Sequence, residues 1–320
     1  MSFLILIIGF ALLIKGADVF VEGASSVAKR FNVPPMLIGL TIVAMGTSAP
    51  EAAVSISSSL AGQNDMSIAN VVGSNFFNIL IVLGVSAIIA KLPVEKNTIK
   101  KDTPFLVFIS ALLIILGFNF KISRFDGLVL LLLFIFFLVN MIKSNLGQKN
   151  SDVSAGESAI AIEAVEVAES EVSSLPKTIV ICLIGIVGIV WGGDLVVDSA
   201  TKIATAFGMS ANLVGLTIVA MGTSLPEFVT SVIAVRKGET EIAIGNVIGS
   251  NIFNILLVLG LAAVIHPMTI SVFALIDTIF MTLITVLLYI FMKKNNCLNK
   301  THGFIFIAIY IAYMAYTIIR

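Results

Sequence analysis

Residues 39–51 read GLTIVAMGTSAPE and residues 215–227 read GLTIVAMGTSLPE, one phrase returning with a single change, Ala49 against Leu225. A shift of 176 positions lays Gly16 through Gly84 onto the second half without a gap. Gly16-Ala17-Asp18 then meets Gly192-Gly193-Asp194, Glu22 meets Asp198, Asn70-Val-Val-Gly-Ser-Asn75 meets Asn246-Val-Ile-Gly-Ser-Asn251, and Asn78 meets Asn254. A copy of this length means two structural units built to one plan.

The solvent for that plan follows from composition. Of 320 residues, 58% are hydrophobic and 12% charged, with a mean hydropathy of +1.09. Soluble domains carry about a quarter charged residues, so the chain is expected to be an integral membrane protein. Roughly ten apolar runs are long enough to cross a bilayer as helices. They lie near 2–21, 35–60, 67–90, 104–119 and 125–142, then near 177–198, 212–235, 241–264, 269–292 and 303–319. The runs are continuously apolar rather than alternating, which favours helices over a barrel. The N-terminal run lacks the basic start and small-residue cleavage site of a signal peptide, so it is expected to stay as a membrane helix.

The expected fold is therefore an all-α membrane protein of about ten helices. Residues 1–143 form a first repeat and 176–320 a second. Five spans per repeat, an odd number, make the second copy enter from the opposite side, an inverted-topology pair whose binding site belongs at the midplane. The formal net charge of +0 hides an asymmetry. The odd-numbered loops hold fourteen basic residues, from Lys29 and Arg30 to Lys293, Lys294 and Lys300; the opposite side holds Lys121, Arg124, Lys202 and Arg320. By the positive-inside rule both termini face outward from the cell membrane and residues 144–175 face the cytoplasm. That acidic stretch, with Glu163, Glu166 and Glu169, reads as a solvated linker in preference to a calcium sensor.

Chemistry concentrates where apolar sequence is interrupted. Pro50 has no amide hydrogen, so a helix running through GTSAP should kink, freeing carbonyls near Ala44 and Thr47. The same holds at Pro226 for Ala220 and Thr223. Glu51 and Glu227 directly follow the two breaks, and an acid at bilayer depth costs a few kcal/mol even on lenient scales, so a functional role is the default. Ser48 and Ser224 share a helix face with them. Asn70, Ser74 and Asn78 form a polar stripe on the next span, repeated as Asn246, Ser250 and Asn254. Brought together, these groups make an all-oxygen cage suited to hard cations rather than zinc or copper. Two carboxylates balance one Ca²⁺ or two Na⁺, and Ca²⁺ accepts six to eight oxygens at about 2.3–2.6 Å.

Packing offers a rival explanation for the small residues, Gly73 and Gly249 above all. Asp18, Glu22, Asp194 and Asp198 read as helix-end or gate hydrogen-bonding groups in preference to ion ligands, with Lys15 a partner for Asp18. Cys182 and Cys297 lack metal or redox spacing. His266 reads as a surface residue, and Asp277 receives no role.

The paired GTSAPE and GTSLPE, each followed by GSNxFN, resemble the alpha-repeats of the cation/calcium exchanger superfamily, specifically its prokaryotic sodium/calcium exchanger branch. The resemblance covers nearly the whole chain. It implies a ten-helix fold in which the first and sixth helices slide across a core, and exchange of cytoplasmic Ca²⁺ for external Na⁺. It assigns calcium to the carboxylates of Glu51 and Glu227 and the carbonyls of Thr47 and Thr223. Sodium falls to Ser48, Ser74, Asn78, Ser224, Ser250 and the carbonyls of Ala44 and Ala220. Exchangers of this family often carry Asp where this chain has Asn254, so the middle of the cage is neutral here and sodium stoichiometry, potassium and proton coupling stay open. Ca²⁺ and Na⁺ are then the only small-molecule partners expected, with no cofactor and no nucleic acid, on a monomer in the lipid bilayer. Proton/calcium or potassium-dependent exchange, a passive channel and an intramembrane hydrolase using the two acids are the alternatives.

Overall fold

The computed structural model describes residues 2–31, 33–62, 64–154, 175–208 and 220–319. Its helices are α1 Ser2–Phe31, α2 Pro35–Thr47, α3 Ala49–Leu60, α4 Ser67–Ile89, α5 Thr103–Gly117, α6 Arg124–Ser154, α7 Leu175–Ala206, α8 Leu225–Arg236, α9 Thr240–Ile265, α10 Val272–Asn295 and α11 Lys300–Ile319. A short helical turn, Ala220–Gly222, precedes α8. Glu163, Glu166 and Glu169 lie outside the described residues, as do residues 212–219 of the expected 212–235 span.

Six of these helices are long and apolar enough to cross a membrane, and the bent pair α2–α3 makes a seventh. The three other expected spans correspond to α5, α8 and α11. α5 has only 15 residues of α-helix. α11 begins with Lys300 and His302 and carries three tyrosines. α8 is the described 12-residue remainder of its span. Large apolar side chains such as Phe3, Leu132, Leu183 and Trp191 point outward, as in a protein whose solvent is lipid.

α1 and α7 pack antiparallel along a seam of glycines. A Cβ at Gly16 would lie 2.7 Å from the Ile189 nitrogen, and one at Gly23 would lie 2.6 Å from the Cys182 sulfur. Backbone meets backbone here, an approach only glycine allows. Gly39 of α2 meets α9 in the same way, with the Ile242 carbonyl 2.6 Å from where its Cβ would be. Gly249 is packed against Leu40 and Ala44, so for that residue close packing and the cage coexist.

α4 and α9 are the most buried spans. Each contains a π-helical turn, Asn78–Val82 in α4 and Asn254–Val258 in α9. π-turns inside α-helices are often found at functional sites. The chain is stitched at four loops. β1 (Leu92–Pro93) pairs antiparallel with β4 (Cys297–Leu298), and β2 (Lys121–Ile122) with β3 (Met268–Thr269). The C-terminal turns of α4 pack on α11 and those of α9 on α6. Both cysteines are free thiols.

Asp18 finds a stronger partner than the expected one. Lys15 is 3.9 Å away, whereas Lys237, from the turn after α8, lies 2.7 Å from Asp18 and 3.6 Å from Glu22. Beside it, Ser25 donates to Glu239 at 2.5 Å. Asp194 and Asp198 have no such ion pair among the described residues. His266 is exposed, as expected, and Asp277 is buried beside a cavity of about 280 Å³ that Tyr310 and Tyr313 also line.

Asp102 closes the π-turn ahead of α5, outside the span, and burial pushes its carboxyl up to about 6 against the opposing effects of Thr98 and Lys101. An acid whose folded value exceeds its ordinary 3.8 costs stability once the pH passes through that window. Asp102→Asn is therefore expected to raise the melting temperature in detergent most above pH 6, by an increment that shrinks as the pH falls toward 4. An increment that stays constant with pH would contradict this account.

Candidate cation site between the two bent helices

The two breaks fold alike. Ser48 has φ −82° and ψ 9°, Ser224 φ −90° and ψ 6°, the sparsely populated bridge between helix and strand. Pro50 and Pro226 occupy the first turn of the helix that follows, where no amide hydrogen is needed. α2 and α3 meet at a bend of 47°. Glu51 and Glu227 sit in the first turns of α3 and α8, where unpaired amides and the helix dipole favour an anion. One expected detail is corrected: the Ala44 carbonyl is not freed by the break, because the Ser48 amide still reaches it at 3.0 Å. The bridge conformation turns the chain only after that bond has closed. The Ala220 backbone is helical, and its side chain lies outside the description.

The two acids face each other through exchanged serines. Ser48 donates to Glu227 Oε1 at 2.9 Å, and Ser224 donates to Glu51 Oε1 at 3.0 Å. Each serine belongs to the break beside the other acid, so neither carboxylate can be placed without both bends. Behind them stands a second matched pair. Asn70 donates to the Glu51 carbonyl at 3.2 Å and to Ser55 at 2.9 Å, and accepts from Thr223 at 3.4 Å. Asn246 donates to the Glu227 carbonyl at 3.4 Å and to Ser231 at 3.0 Å, and accepts from Thr47 at 3.1 Å. Ser250 lies 3.4 Å from Glu227 Oε1.

Five polar atoms of this cluster are buried without a hydrogen-bond partner among the described residues: Glu51 Oε2, Glu227 Oε2, Ser74 Oγ, Asn78 Oδ1 and Asn254 Oδ1. Orphaned buried groups are rare in folded proteins, since each costs about 1–3 kcal/mol and charged ones more. Five belonging to one cluster, four of them acceptors only, ask for a cation. Among the described residues no group of three or more His, Cys, Asp or Glu side chains is placed to hold a metal. The donors are thus two acids and neutral oxygens, the set hard cations take.

All twelve residues expected of the cage fall at or beside the two breaks or on the facing faces of α4 and α9. Asn70 and Asn246, expected in the polar stripes, hold the cage groups in place, and so do Ser55, Ser231, Asn75 and Asn251, which were not expected there. Their signal was the 176-residue shift, under which each repeats unchanged.

The sodium/calcium exchanger protein family model matches residues 1–143 and 177–319. The chain belongs to that family. A putative antiporter, CaxA, from Alkalimonas amylolytica is 39% identical over 96% of this chain and 95% of its own length. The sodium/calcium exchanger MaX1 of Methanosarcina acetivorans is 32% identical over 98% of this chain and 97% of its own. Among solved structures, the sodium-calcium exchanger NCX_Mj soaked with zero Na⁺ and Ca²⁺ superposes with a TM-score of 0.84 at 32% identity, covering 98% of each chain. Its crystal soaked with 100 mM Na⁺ and 10 mM Sr²⁺ gives 0.84 at 33%, covering 98% and 97%. Membership in an exchanger family makes this a membrane transporter and not an enzyme, which removes the hydrolase reading of the two acids.

Proposed function

We propose that the chain is a secondary antiporter that exchanges Na⁺ for Ca²⁺ through one midplane site by alternating access. The observation that carries this is the facing pair Glu51 and Glu227, capped by exchanged serines and surrounded by partnerless oxygens. Two carboxylates inside a membrane are costly until positive charge lies between them. One Ca²⁺ or two Na⁺ supply the same charge, so each ion displaces the other, and exchange follows from that competition. Glu51, Glu227 and the Thr47 and Thr223 carbonyls hold Ca²⁺ in this reading. Ser48, Ser74, Asn78, Ser224, Ser250, Asn254 and the Ala44 and Ala220 carbonyls complete the sodium positions, the Ala44 oxygen becoming available if the Thr47 hydroxyl, 3.4 Å away, turns to Asn246.

The two halves act as repeats of opposite orientation, ten spans in all, joined by a cytoplasmic linker, with both termini outside the cell membrane. Support comes from the strand pairs: the α4–α5 loop pairs with the α10–α11 loop, and the α9–α10 loop with the α5–α6 loop, each pair mapping onto the other when the halves are exchanged. The antiparallel α1–α7 seam fits the same axis. A single chain supplies every group in the cage, so a monomer suffices.

The test is ⁴⁵Ca²⁺ uptake into vesicles holding the purified protein. Uptake is expected when Na⁺ inside exceeds Na⁺ outside and is expected to stop when the gradient is collapsed. Calcium uptake driven equally well by a pH gradient without sodium would replace this reading with proton/calcium exchange.

A further inference from the structure

A clasp of four amides joins α4 to α9. Asn75 donates through Nδ2 to the Asn251 carbonyl at 3.3 Å, and Asn251 donates to the Asn75 carbonyl at 3.5 Å. The side chains then cross: Asn254 Nδ2 donates to Asn75 Oδ1 at 3.0 Å, and Asn78 Nδ2 donates to Asn251 Oδ1 at 3.1 Å. All four residues are buried.

An amide side chain can be turned over without changing its outline, so its direction must come from its partners. Here the direction is forced. A backbone carbonyl only accepts, so the Asn75 nitrogen must face Asn251 and the Asn75 oxygen must face Asn254. Asn254 must answer with its nitrogen, which leaves its oxygen turned away from the clasp. The mirrored argument fixes Asn78. Both oxygens thus released, Asn78 Oδ1 and Asn254 Oδ1, are among the buried atoms that have no partner among the described residues.

We propose that Asn75 and Asn251 are positioning residues that aim the amide oxygens of Asn254 and Asn78 at the transported sodium. This rests on the antiporter reading and deepens it. The clasp also explains the chemistry at the middle of the cage. An acid at 78 or 254 would set a carboxylate oxygen against the oxygen of Asn251 or Asn75, where the geometry calls for a donor. Two amides satisfy both sides and offer the ion two neutral oxygens, weighting these positions toward a monovalent cation while the glutamates carry the charge that calcium needs.

The experiment uses the full-length protein in vesicles and reads the Na⁺ and the Ca²⁺ concentrations giving half-maximal exchange, for Asn75→Ala, Asn254→Ala and the double variant. Loss of an orienting hydrogen bond predicts that each single variant raises the Na⁺ value about fivefold. The Ca²⁺ value should move less than about twofold, and the double variant should be no worse than the poorer single one. The pair Asn251→Ala and Asn78→Ala serves identically should Asn75→Ala fail to fold. Na⁺ and Ca²⁺ values that shift together, or single effects that multiply in the double variant, would show a merely structural role and overturn the proposal. If the wild-type protein shows no sodium-driven calcium flux, the antiporter reading itself falls, a result separable from the variants' behaviour.

Discussion

Glu51→Gln and Glu227→Gln, each tested alone, are expected to reduce sodium-driven ⁴⁵Ca²⁺ flux at least about a hundredfold. The substitution keeps the shape of the side chain and one oxygen. Ser224 at 3.0 Å from Glu51, or Ser48 at 2.9 Å from Glu227, therefore keeps an acceptor, and the fold should survive. What is lost is charge. A single remaining acid leaves a calcium ion with an uncompensated positive charge at bilayer depth, a penalty of about 3 kcal/mol or more, and 1.4 kcal/mol is a factor of ten. A second reading keeps the result interpretable. Calcium should raise the melting temperature of the wild-type protein, because a ligand that binds only the folded state stabilises it, and should leave both variants unmoved. Flux within tenfold of wild type in either variant would remove these acids from the calcium site.

Adjacent glycines on α7 are expected to respond in opposite ways. A Cβ on Gly192 would press on the backbone nitrogen of Leu13 and approach its Cα at 2.8 Å and the Gly9 carbonyl at 2.9 Å. Backbone atoms cannot rotate aside, so α1 and α7 must separate along the seam. Gly192→Ala should cost about 3 kcal/mol, the upper end for an overpacked site. At Gly193 the nearest atoms are Pro226 Cγ at 3.6 Å and Cδ at 3.8 Å, ordinary contact distances. Gly193→Ala should be tolerated or slightly stabilising, since it removes freedom from the unfolded chain. Thermal unfolding in detergent distinguishes the two. Equal melting temperatures would mean that the α1–α7 contact is looser than the seam described.

That the two breaks would meet was legible in the sequence because its signals are local and doubled. A proline and an acid inside apolar sequence force a bend and a function within a few residues, and the second copy rules out accident. Glu51, Glu227, Ser48 and Ser224 needed nothing more. Asn75 and Asn251 were visible only as repeated letters, because each finds its partners on the opposite repeat, 173 to 179 positions away. Lys237 escaped for the same reason: nothing beside it in the chain points to Asp18, 219 positions earlier. The Ala44 carbonyl was misjudged for a subtler cause. A missing proline amide locates a break to within a residue or two but does not say which bond of the turn survives.

The paired loops bear on how the molecule is made. β1 emerges with the first half of the chain yet must wait for β4, more than 200 residues later, and the end of α4 waits for α11. Contacts so distant in sequence form slowly. Until β3 and β4 are made, the two loops of the first half lack their partners. The first repeat is thus closed by the second, and a chain interrupted before Lys300 is expected to leave a partner-seeking fragment rather than a smaller working protein.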